Sequence, residues 1–304
     1  PERPAAGRGR QKERSRRERE EKEMLNNCLV VLNYNDLERC LNVLKYGMDN
    51  CLFKHYVLVD NASRDFNDEL LNNVDFSNVI VLKNKKNLGY GAGHNVGLRY
   101  AVEVLKADNV AVIVSDIEYA ENNIKNCMTV LMADPKIGAV TCRMKDINGI
   151  ESEAAWRTPS YKEYVFWCFP ILRKCMKKNP YSYDSNKLYT YVDVIRGSFM
   201  FFRSEAIKKC GYFDENIFLY NEENIMSARL KKAGYSMAIV NNQFYIHNHI
   251  NRPGKRKSFG KLISEAESGV YYMEQYQNIR GVKLAFLKFS TYLLCVQRFL
   301  KQYF

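Results

Sequence analysis

The chain has 304 residues and is 46% hydrophobic, enough to bury a full core in one large or two ordinary domains. Its net charge of +12 gathers at the two ends: residues 1–23 carry nine Lys/Arg against six Glu, residues 251–304 carry ten against three, and the body between is left near +2. So neutral a body argues against a nucleic-acid-binding surface. Nine scattered cysteines with no CxxC pair argue against a disulfide framework or structural zinc and for reduced thiols in a cytoplasmic protein.

Residues 1–23 hold almost no apolar side chain and cannot fold alone, so they read as a disordered leader or one added for expression, with Met24 as the natural start. No secretory signal is visible there, and the densest apolar run, 165–172, is too short to span a bilayer. Residues 28–32 (CLVVL) form the first predicted strand, and Leu37, Cys40, Leu41 and Leu44 then recur at helical spacing. A second strand over 55–59 ends in Asp60-Asn61-Ala62-Ser63, a helix covers 65–74, and a third strand covers 79–82. The glycine-rich Gly89-Tyr90-Gly91-Ala92-Gly93 leads into a helix near 93–105. It follows the third strand and lacks dinucleotide spacing, so it reads either as close backbone approach to a ligand, with Asn95 nearby, or as a flexible turn. A fourth strand, 110–114, ends at Ser115-Asp116-Ile117-Glu118.

Strands and helices that alternate, with continuously apolar strands, predict an α/β fold whose mainly parallel central sheet is covered on both faces. Ligands of such sheets bind beyond the carboxyl ends of the strands, where Tyr34, Asp60 and Asp116 fall. Further on, residues 211–234 (GYFDENIFLYNEENIMSARLKKAG) join an aromatic-rich turn, the adjacent Glu222 and Glu223, and a helix closed by glycine. Two acidic sites on one sheet suggest metal-assisted transfer, one holding a cation and the other handling a proton. The body spans 24–250, and 251–304 form a basic helical C-terminal extension.

The ordered motifs are Leu32-Asn33-Tyr34-Asn35, Val59-Asp60-Asn61-Ala62-Ser63, the segment from Asn87 to Asn95, Asp116-Ile117-Glu118, Gly197-Ser198-Phe199, Gly211-Tyr212-Phe213-Asp214-Glu215, Tyr220-Asn221-Glu222-Glu223, Gly234-Tyr235 and His247. Over residues 28–249 this series resembles the family 2 glycosyltransferases of the GT-A fold, especially their rhamnosyltransferase-like branch. The resemblance implies an inverting transferase that moves a sugar from a nucleotide diphosphate sugar, dTDP-rhamnose or a UDP-hexose, to a saccharide acceptor in cell-surface polysaccharide synthesis. It places Asn33, Tyr34, Asp60, Asn61, Gly89, Asn95, Ser115 and Asp116 around the donor. Asp116, Glu118 and His247, with His249 as a lesser candidate, would bind Mn²⁺ or Mg²⁺. Glu223 would be the base, with Glu222 beside it, and Trp156, Gly197 and Tyr220 would face the acceptor. The aromatic-rich residues 151–191 suit either an acceptor pocket or core packing.

Two motifs depart from the usual pattern: Glu118 stands for the second Asp of the metal motif, and Glu223 for the Asp of Glu-Asp. A nucleotide-sugar-binding protein disabled by these departures is therefore an alternative, and so is a nucleotidyltransferase, which also uses a nucleotide-binding α/β sheet and a metal. In the helix expected over 280–304, Arg280, Lys283, Lys288, Arg298 and Lys301 fall within an arc of roughly 140°, with Phe286, Phe289, Tyr292, Leu293, Val296, Phe299 and Leu300 opposite and Leu284, Leu287 and Leu294 intruding on the basic side. That pattern suits peripheral contact with the inner face of the cell membrane and a lipid-linked acceptor; it suits equally a surface packed on the body or in a homodimer.

Overall fold

The computed structural model describes residues 26–64, 66–72, 78–169, 171–175, 179–248 and 258–302. Residues 1–23, where a leader is expected, and His249 lie outside the described residues. In chain order the elements are β1 (Asn27–Asn33), α1 (Leu37–Asp49), β2 (His55–Asp60), α2 (Asp68–Asn72), β3 (Val79–Lys83), α3 (Tyr90–Arg99) and β4 (Asn109–Ile113), a π-turn at Tyr100–Val104 joining the last two. There follow β5 (Ile117–Glu118), α4 (Glu121–Ala133), β6 (Ile137–Lys145), β7 (Glu151–Ser152), β8 (Ala155–Trp156) and α5 (Tyr161–Cys168). The rest are β9 (Tyr189–Val192), β10 (Val194–Ile195), β11 (Phe199–Arg203), α6 (Ser204–Lys209), α7 (Glu222–Lys232), β12 (Ser236–His247), α8 (Phe259–Gln275) and α9 (Gly281–Leu300).

The main sheet runs β3-β2-β1-β4-β11-β6-β12-β5, with β7 on β6 and β9 on β12. Its first four strands are parallel. Cys28–Val31 and Val110–Ile113 are fully buried, as strands covered on both faces must be. Leu37, Cys40, Leu41 and Leu44 lie on the buried side of α1. Beyond β4 the sheet turns mixed: β11 runs antiparallel to β4 and β6, and β12 parallel to β6. The parallel half is the half whose strand–helix alternation the sequence displays. The mixed half brings the loops before β11 and α7 to the same end of the sheet as Asp116.

Helices α8 and α9 pack on the body through a second apolar cluster that includes Ile217, Ile225, Val270, Met273, Leu284 and Leu287. The three leucines that intrude on the basic arc of α9 are therefore its inward side. Arg298 turns toward Glu265, and the exposed face holds Val282, Phe286, Phe289, Tyr292 and Leu300. Among the described residues no helix is long and apolar enough to cross a membrane.

Candidate functional site

At the ends of β1 and β2 the polar residues hold one another. Asn33 Nδ2 donates to Asp60 Oδ1 (2.8 Å) and to Ser63 Oγ (3.1 Å), and Ser63 N donates to Asp60 Oδ2 (3.2 Å). Asp60 is only 4% exposed, whereas Tyr34 is 47% exposed. From this corner the Tyr34 ring is the group offered to solvent, and Asp60 shapes the turn beneath it. Asn61 binds Gly89 O and Asn87 Oδ1 through Nδ2 and accepts from Leu88 N, so it holds the glycine-rich loop.

That loop meets protein where the sequence reading allowed a ligand. Gly89 has φ +84°, and a Cβ there would lie 2.1 Å from Phe218 O, a contact that only glycine avoids. Tyr90 N donates to the same carbonyl at 3.0 Å. Asn95 is fully buried; its Nδ2 donates to Phe213 O (2.9 Å) and Glu215 Oε1 (2.8 Å), and its Oδ1 accepts from Phe213 N (2.9 Å). The glycine-rich segment thus interlocks with the 213–218 turn, and Asn95 is a brace whose amide hydrogens both bond within the protein.

At the end of β4, Asp116 borders a cleft of about 430 Å³ together with Arg39, Tyr46, Ser115, Glu118 and Asn248. Ser115 Oγ donates to Asp36 Oδ2 at 2.6 Å, and Asp36 also pairs with Arg39. His247 Nε2 lies 3.2 Å from Asp116 Oδ1. In the β5–β12 pairing Ile117 stands opposite His247 and Glu118 opposite Ile246. Residues directly opposite share a face and neighbours alternate, so Glu118 leaves the strand on the exposed face and His247 on the buried one. Of the three expected ligands, Asp116 and His247 meet, and Glu118 borders the same cleft from the strand face opposite His247. Among the described residues no group of three or more His, Cys, Asp or Glu side chains could hold an ion alone. One carboxylate and one imidazole beside an open cleft would fit a divalent cation that takes its other ligands from outside the protein.

The second acidic pair starts α7. Two successive left-handed residues, Tyr220 (φ 74°) and Asn221 (φ 67°), turn the chain into the helix. Glu222 is 6% exposed; burial first, and then the neighbouring Glu223 charge, push its carboxyl up to about 8, so it keeps its proton at neutral pH. Glu223 is half-buried, and its Oε1 accepts from Gly197 N at 3.2 Å. Asn221 Oδ1 accepts from Tyr164 Oη and from Asn224 Nδ2, and Asn224 Oδ1 accepts from Trp156 Nε1 (3.0 Å). The three residues expected at an acceptor are accordingly gathered around this helix start: Gly197 touches Glu223, Trp156 is tied in through Asn224, and Tyr220 lines a neighbouring cavity of about 300 Å³ with Tyr164 and Trp167. The sequence reading left Tyr164, within 151–191, between acceptor pocket and core, and missed Tyr90, Asn221 and Asn224 as members of this site. Only Asn224, three residues after Asn221, carried a signal there, the helical i,i+3 spacing.

The protein-family model described as "Glycosyltransferase like family 2" matches residues 27–271. The low-salt glycan biosynthesis hexosyltransferase of Haloferax volcanii is 23% identical over 220 residues, covering 72% of this chain and 66% of that protein, just under two thirds of its length. The N-acetylglucosaminyl-diphospho-decaprenol L-rhamnosyltransferase of Mycobacterium tuberculosis is 26% identical over 211 residues, covering 66% of this chain and 68% of the relative. Among solved structures, a mannosyltransferase of Pyrobaculum calidifontis in complex with GDP-Man and Mn²⁺ superimposes with a TM-score of 0.54 at 14% identity, over 91% of this chain and 73% of that one. At that identity the likeness speaks for the fold.

Proposed function

The chain belongs to glycosyltransferase-like family 2, its fold is that of a GT-A glycosyltransferase domain, and from that premise we propose that it is an inverting transferase acting on a nucleotide diphosphate sugar and a saccharide acceptor. One observation carries the reading: the dipeptide Gly197-Ser198 ties the two acidic sites together. Ser198 O accepts from Val114 N (3.1 Å), two residues before Asp116, while Gly197 N donates to Glu223 (3.2 Å). A cation-side carboxylate and a proton-side carboxylate are thereby held on one backbone segment.

In this reading the nucleotide base lies on Tyr34, in the corner shaped by Asn33, Asp60 and Asn61, with Gly89 and Asn95 bracing the loop behind it. Asp116 and His247 would hold a divalent ion, Mn²⁺ or Mg²⁺, with Ser115 alongside. When bound, that ion neutralises charge on the departing nucleoside diphosphate. The acceptor sugar sits against Trp156 and Tyr220. Glu223 takes the proton of the acceptor hydroxyl as that oxygen bonds to the anomeric carbon, from the side opposite the breaking carbon–oxygen bond to diphosphate. Glu222, carrying its own proton, adds no second charge beside the base. Residues 24–250 form the catalytic body, and 251–304 the helical extension. The names of the two relatives, a hexosyltransferase of glycan biosynthesis and a rhamnosyltransferase acting on a diphospho-decaprenol, support a hexose or rhamnose as the transferred sugar and a lipid-linked acceptor. The exposed aromatic face of α9, on a helix without a single acidic residue, supports peripheral membrane contact.

A thermal-shift screen of nucleotide sugars, with and without Mn²⁺, followed by assay of nucleoside diphosphate release tests the reading. Stabilisation by one nucleotide sugar and release of its nucleoside diphosphate is the expected result. Pyrophosphate release from a nucleoside triphosphate would make the chain a nucleotidyltransferase, and binding without any turnover a disabled enzyme.

A further inference from the structure

Gly197 sits between two anchored neighbours. Arg196 N donates to Ala154 O at 2.8 Å and Ser198 O accepts from Val114 N at 3.1 Å. The glycine between them is the most conformationally free residue type, yet its N–H must point steadily at Glu223 Oε1. What holds it is Tyr90, whose Oη donates to Gly197 O at 2.6 Å. The Tyr90 ring is itself fixed, with the His94 ring centroid at 4.3 Å, the Phe213 ring edge-on at 5.7 Å, and its backbone N on Phe218 O at 3.0 Å. A Cβ on Gly197 would lie 3.1 Å from Glu223 Oε1 and 3.2 Å from Tyr90 Oη, so a larger residue would displace these groups by a few tenths of an ångström.

We propose that Tyr90, acting through the Gly197 backbone, is the positioning residue that aims the Glu223 carboxylate at the acceptor hydroxyl. Tyr90 does not compete for the proton, because burial, and then the Glu223 and Glu222 charges, keep its phenol protonated far above neutral pH. The other titratable groups facing Glu223 are Glu222 from α7, Tyr164 from α5 and Tyr245 from β12. Burial leads the upward shift at each of them, so all stay protonated at neutral pH. His94, packed against Tyr90, is held neutral by burial with its imidazole pushed down to about 4. The Gly197 N–H donates to the Glu223 carboxylate at 3.2 Å, and a carboxylate that loses such a donor holds its proton to higher pH.

The inference rests on the assignment of Glu223 as base, and the test separates the two. Carboxyl-carbon NMR of ¹³C-glutamate-labelled protein, with the Glu223 signal identified by its loss in Glu223→Gln, follows the titration without any substrate. In Tyr90→Phe, and in Gly197→Ala as a second variant, the Glu223 midpoint is expected to move to higher pH. Transfer is expected to fall about 10- to 100-fold in kcat, the scale of a base misplaced by about 1 Å, with the donor KM unchanged and the acid limb of the pH profile displaced upward. A midpoint unchanged in both variants overturns the positioning role, as does a kcat that falls only with the folded fraction. If the midpoint moves while Glu223→Gln transfers normally, positioning stands and the base assignment falls.

Discussion

Asp116 and Glu222 are both carboxylates at the end of a core element, and their surroundings give them opposite properties. Asp116 keeps a quarter of its side chain exposed, meets His247 and opens onto a cleft. Glu222 is buried beside a second acid and holds its proton. An open carboxylate can bind a cation; a closed one beside a second acid is pushed toward its neutral form. Burial, more than residue type, divides the labour.

The comparison is broken most forcefully at Glu223. Glu223→Gln is expected to lower transfer by about 10²- to 10⁴-fold, with nucleotide-sugar binding nearly unchanged by calorimetry. If Glu222→Gln is inactive instead and Glu223→Gln active, the roles within the pair are reversed. Asp116→Asn keeps shape and removes charge, so it should cost several kcal/mol of transition-state stabilisation and abolish the Mn²⁺-dependent part of nucleotide binding. Full activity in excess chelator would remove the cation from the account.

A smaller effect sharpens the closed side. The folded Glu222 carboxyl keeps its proton to about pH 8, whereas an unfolded glutamate releases it near its ordinary pKa of about 4.3. Between those values the native state binds more protons, so this group's contribution to stability falls as pH rises, by at most about 1.4 kcal/mol per pH unit. Melting curves from pH 5 to 8 should therefore decline less steeply for Glu222→Gln than for the native chain. Parallel curves would mean that Glu222 is ionised at neutral pH. The smallest effect lies on α9, where deleting the helix would strip Leu284, Leu287 and Leu294 from the body. Lys283 and Lys301 are exposed and 18 residues apart, on the same side of the helix. Changing each to Ser should weaken sedimentation with anionic vesicles by about 1 kcal/mol, roughly fivefold, and high salt should do the same. Binding indifferent to both would leave the aromatic face for a second copy of the chain.

What the sequence determined by itself was local and periodic. The apolar runs at 28–32, 55–59 and 110–114 could be read because a strand buried on both faces needs nothing but apolar side chains, and α1 because its buried residues recur at helical spacing. The positions of Tyr34, Asp60 and Asp116 at strand ends followed from the alternation alone. Tertiary structure decided what depends on partners distant in the chain. The β5–β12 register parts Glu118 from His247, the 213–218 turn claims the glycines and Asn95, and a second core cluster chooses which side of α9 faces inward. The first two are contacts across more than 100 residues, and a single sequence carries spacing along the chain but no distance through space. The same limit hid Tyr90: nothing local marks a tyrosine whose hydroxyl meets a carbonyl 107 residues away.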